Sequence, residues 1–318
     1  MRAAARSSRS ETGLINISLR AIRYMVATAE AGNITEAARQ LNISQPSISA
    51  AIAQVETELG VQIFVRHHAR GVTLTHAGHR VVSEARLLLA HAEDFARTAQ
   101  TLGHAIRGEI SIGCFPTLAA RFMPGLLAAF AARQPGISIR LVEGDQAQIM
   151  EALITGRTEL ALSYDYAIPE EVDSTPLAQL PPWVFLPADH PLTARPAVAL
   201  EDLAPLPFIL LDLPHSRDYF LGLFRAAGLE PQIAFRTGSP ELVRGLVGRG
   251  WGYTLHNTVP RTGHTYDGMP IAVRRLAGTH APVVITSLRL KRQTMRPAVR
   301  ALADFLGEAN GMFEAEQG

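Results

Sequence analysis

The stretch from Asn33 to Thr75 constrains the fold of this chain more than any other. Ile34, Ala37, Ala38 and Leu41 recur at helical spacing and put one apolar face on a short helix. The chain breaks at Asn42-Ile43. Ser44 then offers a helix cap, and Pro46 suits a first turn, where its missing N–H costs nothing. Ile48, Ile52, Val55 and Leu59 form the apolar stripe of a second helix, which Gly60 ends. The opposite face, Ser44, Gln45, Ser47 and Gln54, is polar and carries no acid; Glu56 and Glu58 come only near the far end. Short hydroxyl and amide groups at a helix start can approach phosphates and base edges, and the helix dipole favours the anion. The pattern predicts a helix-turn-helix whose second helix enters a major groove.

Charge is distributed to match. Residues 1–107 hold 12 arginines against 8 acids, and the remainder holds 18 basic residues against 21 acids. A basic front on an acidic back suits a nucleic-acid module joined to something else. The 318 residues are enough for two or three domains, and 47% hydrophobic with 19% charged content describes a soluble globular protein. No apolar run reaches the roughly 20 residues needed to span a bilayer. A single cysteine excludes an internal disulfide framework and suits a reducing compartment. The Arg- and Ser-rich start lacks the apolar core of a secretory signal and reads as a disordered basic tail over 1–17.

Leu19, Ile22, Met25, Val26 and Ala29 predict a helix from about Ser18 to Ala31, so a small three-helix domain with a wing covers 18–75. Thr75 caps a long helix that continues through 76–106. Along it Val81, Ala85, Leu88, Ala92, Phe95, Ala99 and Leu102 are spaced alternately four and three, a heptad seam suited to pairing with a second copy.

From Gly108 the pattern changes to alternating strands and helices, which predicts parallel sheet with right-handed crossovers. Strands are expected at 109–114, 137–143 and 159–163, helices at 118–132 and 146–155. After a Pro-rich connection with a short strand at Trp183 to Leu186, a second round follows. It comprises strands at 208–211, 232–235 and 252–255 and helices at 217–227 and 240–248. Strands at 270–275 and 282–288 and a helix at about 297–309 close the chain. The expectation is an α/β clamshell over 107–318, lobe I at 107–166 and 267–318 and lobe II at 167–266. A ligand would sit at the carboxyl ends of the strands, between the lobes.

This order resembles the LysR-type transcriptional regulators over roughly residues 18 to 310. The resemblance rests on Glu36-Ala-Ala-Arg-Gln-Leu41, Ser44-Gln-Pro-Ser-Ile-Ser49, Leu59-Gly-Val-Gln-Ile-Phe64 with Arg66, and Leu74-Thr-His-Ala-Gly78. Glu241-Leu-Val and Val247-Gly-Arg-Gly-Trp-Gly-Tyr-Thr254 carry it in the second half. It implies an all-α winged helix-turn-helix, a linker-helix dimer that often becomes a tetramer, and an effector domain like type 2 periplasmic binding proteins. Ala50 and Ala51 stand where many members carry long polar or basic side chains, and His256-Asn257 replaces a common Leu-Pro.

The expected DNA-facing set is Ser44, Gln45, Pro46, Ser47 and Ser49, with Thr35, Arg39, Arg66 and Thr75 on phosphates. The expected effector set lies at strand ends and helix starts: Pro116, Thr117, Ser163, Tyr164, Asp165, His215, Ser216, Arg217, Ser239, His256 and Asn257. Arg217 could hold a carboxylate bidentately. Asp165 and His215 would suit an amine or ring nitrogen, so the ligand is expected to be an organic or amino acid. Cys114 reads as a small half-buried residue, and the eleven histidines show no metal spacing. The chain is therefore expected to be a cytoplasmic regulator, with no catalytic residue, cofactor or metal. Its partners would be double-stranded DNA, a small effector, further copies of itself (a homodimer or homotetramer) and RNA polymerase, with no membrane. Two rivals are weaker. A transport solute-binding protein needs export, and an enzyme with Cys114 as nucleophile lacks a base placed by sequence.

Overall fold

The structure is a computed structural model and describes residues 16–67, 71–100 and 107–314. Residues 1–15 of the expected basic tail, His68, the Leu102 end of the heptad seam and the Ala99 side chain lie outside the described residues, while the tail's last two residues belong to the first unit: Ile17 packs on its core and the Asn16 carbonyl accepts the Gln54 amide at 3.3 Å. The chain forms two compact units divided between Glu93 and Asp94.

In the first unit, α1 (Leu19–Ala31) starts where the Ser18 hydroxyl accepts the Ala21 N–H at 3.1 Å and stops at Gly32. Asn33 caps α2 (Ile34–Leu41), which ends at Asn42 with φ of 54°. Asn tolerates this left-handed conformation, so the turn needs no glycine. Helix α3 (Gln45–Leu59) starts at Ser44 and ends at Gly60. Met25, Ala37, Ile48, Ile52 and Val55 are fully buried together and hold the three helices. Leu19 and Leu59, expected on the apolar stripes, are instead exposed, because each is a terminal residue of its helix.

The wing pairs β1 (Phe64–His67) with β2 (Gly71–Leu74) antiparallel, Phe64 opposite Leu74. Glu56 fixes its base: one carboxylate oxygen accepts the N–H groups of Ile63 at 2.7 Å and Phe64 at 3.0 Å. Gly71 is obligatory, since a Cβ there would lie 2.3 Å from the Gly32 carbonyl oxygen.

Helix α4 (His76–Gln100) follows. Its seam is not uniform. Val81 and Ala85 pack into the three-helix core, while Leu88 and Phe95 are exposed. The first part of the expected pairing seam thus belongs to the unit's own core.

In the second unit, strands and helices alternate as β3 (Gly108–Cys114), α5 (Pro116–Arg133), β4 (Ile137–Glu143), α6 (Gln146–Ile154) and β5 (Leu160–Tyr164). Next come β6 (Val172–Leu180), β7 (Trp183–Pro187), β8 (Ala197–Val198), α7 (Leu200–Leu203), β9 (Pro207–Leu211), α8 (Pro214–Ala226), β10 (Gln232–Thr237) and α9 (Pro240–Gly248). The chain finishes with β11 (Thr254–His256), β12 (Ile271–Leu276), β13 (Val283–Leu290), α10 (Pro297–Glu308) and α11 (Asn310–Glu314).

One sheet runs β4-β3-β5-β13-β6, with β3 parallel to β4 and β5 and with β13 antiparallel to both its neighbours. A second runs β11-β7-β12-β8, beside the parallel pair β10-β9. The division differs from the expected lobe boundaries. Strand β6 lies in the first sheet rather than the second lobe, and β12 lies in the second sheet rather than the first lobe. The chain therefore crosses between the sheets at 181–182 and returns at 277–282.

Strand β6 was not expected at all. Its Asp173-Ser-Thr-Pro176 is poor strand sequence, yet it is an edge strand, and Pro176 sits where the register against β13 shifts. An edge strand at an irregularity is the place a sheet tolerates proline. Deeper in the unit, Arg296 and Glu159 pair in a buried bidentate ion pair, at 2.7 Å and 2.5 Å.

Candidate functional sites

On α3, Ser44, Gln45, Pro46 and Ser47 are all exposed, and Ser49 is half-buried. They stand together because Ser44 accepts the Ser47 N–H at 3.4 Å and the two hydroxyls meet at 2.7 Å. The helix start is thereby offered to solvent on a rigid core. The phosphate candidates divide. Thr35 and Arg66 are exposed, the latter on wing strand β1. Arg39 is gripped by Glu36, at 2.8 Å and 2.6 Å, which also holds the Glu36 carboxyl at about 2. Its guanidinium would reach a phosphate only with N–H groups that Glu36 leaves over. Thr75 has its hydroxyl committed. It donates to the Gln62 carbonyl and accepts the Gly78 N–H, both at 2.8 Å, as a cap of α4 requires.

The second unit holds two neighbouring cavities. The smaller, about 250 Å³, gathers most of the expected effector residues: Thr117, Tyr164, Asp165, His215, Ser216, His256 and Asn257. Thr117 and His215-Ser216 come from the first turns of α5 and α8, neither of which is closed by a side-chain cap. Two helix starts thus meet one cavity with N–H groups that no side chain covers.

Aromatic rings supply the walls. Thr117 and Tyr164 join hydroxyls at 2.9 Å, and Phe115 meets Tyr164 edge-on at 5.2 Å. Burial pushes the Tyr164 phenol up, so the ring stays neutral. Tyr166 lies over His215 at 4.1 Å, and the His215 Nδ1 is buried without a partner. The Asn257 amide donates to the Leu180 carbonyl at 3.2 Å, close to where the chain crosses between the sheets.

His256 is 3% exposed, stacked on Phe185 at 4.9 Å, and its Nε2 has no partner. Burial, with Arg244 nearby, lowers its pKa to about 3, so the imidazole is neutral at physiological pH.

Two expected effector residues do not line either cavity. Ser163 is fully buried behind the wall and donates to Gln146 Oε1 at 2.5 Å. Arg217 is tied to Asp212 at 3.0 Å and Asp218 at 3.3 Å, so the carboxylates beside it hold its guanidinium. Pro116 and Ser239 line the larger cavity, about 450 Å³, together with Arg121, Arg244 and Arg261.

Gln146, Tyr166 and Tyr219 are wall residues that the sequence reading missed. Gln146 is the organiser: its Nε2 donates to the Tyr164 and Tyr166 carbonyls at 3.3 Å and 2.7 Å. It opens a helix after a strand, as Thr117 does, and that position was its signal. Tyr219 lies one turn beyond His215, a spacing that helical periodicity could have supplied. Cys114 is fully buried, and burial pushes its thiol up, away from a nucleophilic thiolate.

Comparison with known proteins follows the same division. Residues 19–79 match the family model for the bacterial regulatory helix-turn-helix protein, lysR family, and residues 103–311 match the LysR substrate binding domain. The uncharacterized HTH-type transcriptional regulator YnfL of Escherichia coli K12 is 34% identical, covering 76% of this chain and 82% of its own. The crystal structure of HinK, a LysR family regulator from Pseudomonas aeruginosa, is 37% identical with a TM-score of 0.62, covering 92% of this chain and 98% of that one. Full-length CbnR complexed with its target DNA is 26% identical with a TM-score of 0.57, covering 92% and 100%. No helix among the described residues is long and apolar enough to cross a membrane. With both halves matched in their expected order, the chain belongs to the LysR family of DNA-binding transcriptional regulators.

Proposed function

We propose that this regulator works in the cytoplasm, by binding rather than turnover, and responds to a small organic or amino acid held in the 250 Å³ cavity. The observation that carries the ligand class is the meeting of two helix starts, α5 and α8, without side-chain caps on that cavity. Their dipoles and N–H groups favour a carboxylate. The unpartnered His215 Nδ1 and the nearby Asp165 add a place for an amine or ring nitrogen. An occupant touching both sheets favours one arrangement of them over another, which shifts the population that binds DNA.

DNA reading is assigned to Ser44, Gln45, Pro46, Ser47 and Ser49, supported by the joint exposure of the first four at the start of α3, with Ser49 half-buried one turn on. Self-association is assigned to the later part of α4, where Leu88 and Phe95 are 47% and 76% exposed. Large apolar groups on one helix face are best covered by a second copy of it.

The effector assignment is tested on the full-length protein with a panel of organic acids, amino acids and their neutral amides. An acid should raise the melting temperature and change operator affinity, and Thr117→Val or His215→Ala should blunt both responses. Response to the neutral amides alone would remove the carboxylate from the reading. Light scattering tests the α4 face: Phe95→Asp should lower the oligomeric state, and an unchanged assembly would sink that assignment.

A further inference from the structure

Ahead of the first helix the chain carries a run of positive charge that the three-helix core does not use. Residues 1–29 hold five arginines, Arg2, Arg6, Arg9, Arg20 and Arg23, against one acid, Glu11. Arg20 and Arg23 are exposed, and the first turn of α1 contains no acid. Residues 1–15 lie outside the described residues, but three contacts hold the point where they join the first unit. The Gln54 amide donates to the Asn16 carbonyl at 3.3 Å, Ile17 packs on the core, and the Ser18 hydroxyl caps α1. Gln54 is exposed and stands seven residues after Ser47, so the two share one face of α3. The basic segment therefore joins the fold beside the face to which DNA reading is assigned.

We propose that Arg2, Arg6 and Arg9 make a second DNA contact, as an arm that grips phosphates of the duplex flanking the bases read by α3. The partner follows from charge and reach. Duplex DNA is a dense row of negative charge, and an arginine neutralises a phosphate without reading sequence. Residues 1–15 can span at most about 50 Å, roughly one and a half turns of duplex, which extends past the half-site at α3. Arg20 and Arg23, at the root of the arm, add to the same positive field. Arginine-bearing arms ahead of a helix-turn-helix reach the neighbouring groove and backbone in this way. The proposal rests on the assignment of α3 to DNA reading, because that assignment sets which side of the first unit meets the duplex.

The test compares wild type with the triple variant Arg2→Ser, Arg6→Ser and Arg9→Ser, both full length, on a random-sequence duplex at several salt concentrations. The variant should bind more weakly, and its slope of log affinity against log salt should be shallower by about 2–3, near one unit for each lost phosphate contact. Unfolding stability and oligomeric state should not change. Lysine at all three positions should restore the slope, since a phosphate contact needs the charge more than the guanidinium fork. Gln45→Ala separates this proposal from the reading beneath it. An unchanged operator preference in Gln45→Ala, with a flattened slope in the triple variant, would fault the α3 assignment and support the arm. A lowered preference in Gln45→Ala, with an unchanged slope in the triple variant, would overturn the arm alone. A loss confined to one duplex sequence, a slope that lysine does not restore, or a matching drop in unfolding stability would also overturn it.

Discussion

The start of α3 and the smaller cavity both present polar side chains to a partner, but they stand in opposite relation to the core. On α3 the polar residues are exposed, while Ile48, Ile52 and Val55, on the other face of the same helix, are buried. In the cavity four of the polar wall residues are themselves buried: Thr117, Gln146, His256 and Asn257 are each less than a tenth exposed, while Asp165 at the rim is open to solvent. Function and stability are therefore separable in the first region and coupled in the second. A surface side chain can be removed with little effect on the fold. A buried one leaves its partners unsatisfied, at about 1–3 kcal/mol for each.

Gln146→Leu tests the coupled side most severely. It strands the Ser163 hydroxyl and the Tyr164 and Tyr166 carbonyls, so unfolding stability should fall by more than about 3 kcal/mol. Denaturant unfolding measures it, and a loss under about 1 kcal/mol would mean that water replaces the amide and that the contrast with α3 is overstated.

Gln45→Ala and Ser47→Ala test the separable side. Each should reduce the preference for the cognate operator over random duplex by about 1–3 kcal/mol. Stability should stay within about 0.5 kcal/mol. Arg66→Ala should weaken both duplexes alike and flatten the salt slope. Competition binding at several salt concentrations decides it, and unchanged preference in both recognition-helix variants would remove them from the base-reading set.

His256 links the contrast to pH. Its pKa lies at about 3 in the folded protein against 6.5 for the free side chain. The unfolded chain therefore binds the proton first, and the group contributes no penalty above pH 6.5 but costs stability as pH falls below it. By pH 5 this amounts to about 1–2 kcal/mol. His256→Phe should lack the loss, so wild type should fall relative to the variant between pH 7 and pH 5. Parallel stability curves would place the ring in contact with water.

Arg217→Gln should have the smallest effect. Its guanidinium and its carboxylate partners are open to solvent, which screens the pairs, so stability should hardly change. It lines neither cavity, so the effector response should persist at the same ligand concentration. A lost response would return Arg217 to the binding site and show that Asp212 and Asp218 release it.

What the sequence alone determined is whatever depends on near neighbours. Helix starts at Ser18, Ser44 and Thr75, stops at Gly32 and Gly60, and the α3 face are written within a few residues, because caps and helix faces are local geometry. The alternation after Gly108 was legible for the same reason, and it placed Thr117, Tyr164, His215 and His256 at strand ends and helix starts. Tertiary structure decided what distant residues do to those positions. Strand β6 exists because β13 offers it an edge, despite Pro176. Arg217 was captured by Asp212 and Asp218, and Ser163 was turned to Gln146, although the strand-end and helix-start positions alone had pointed both at a ligand. The division of one expected cleft into an aromatic cavity and a cationic one was likewise decided across the fold. The residues at 116–125, 239–244 and 256–261 become neighbours only when two sheets pack, and no local spacing records the distance between them.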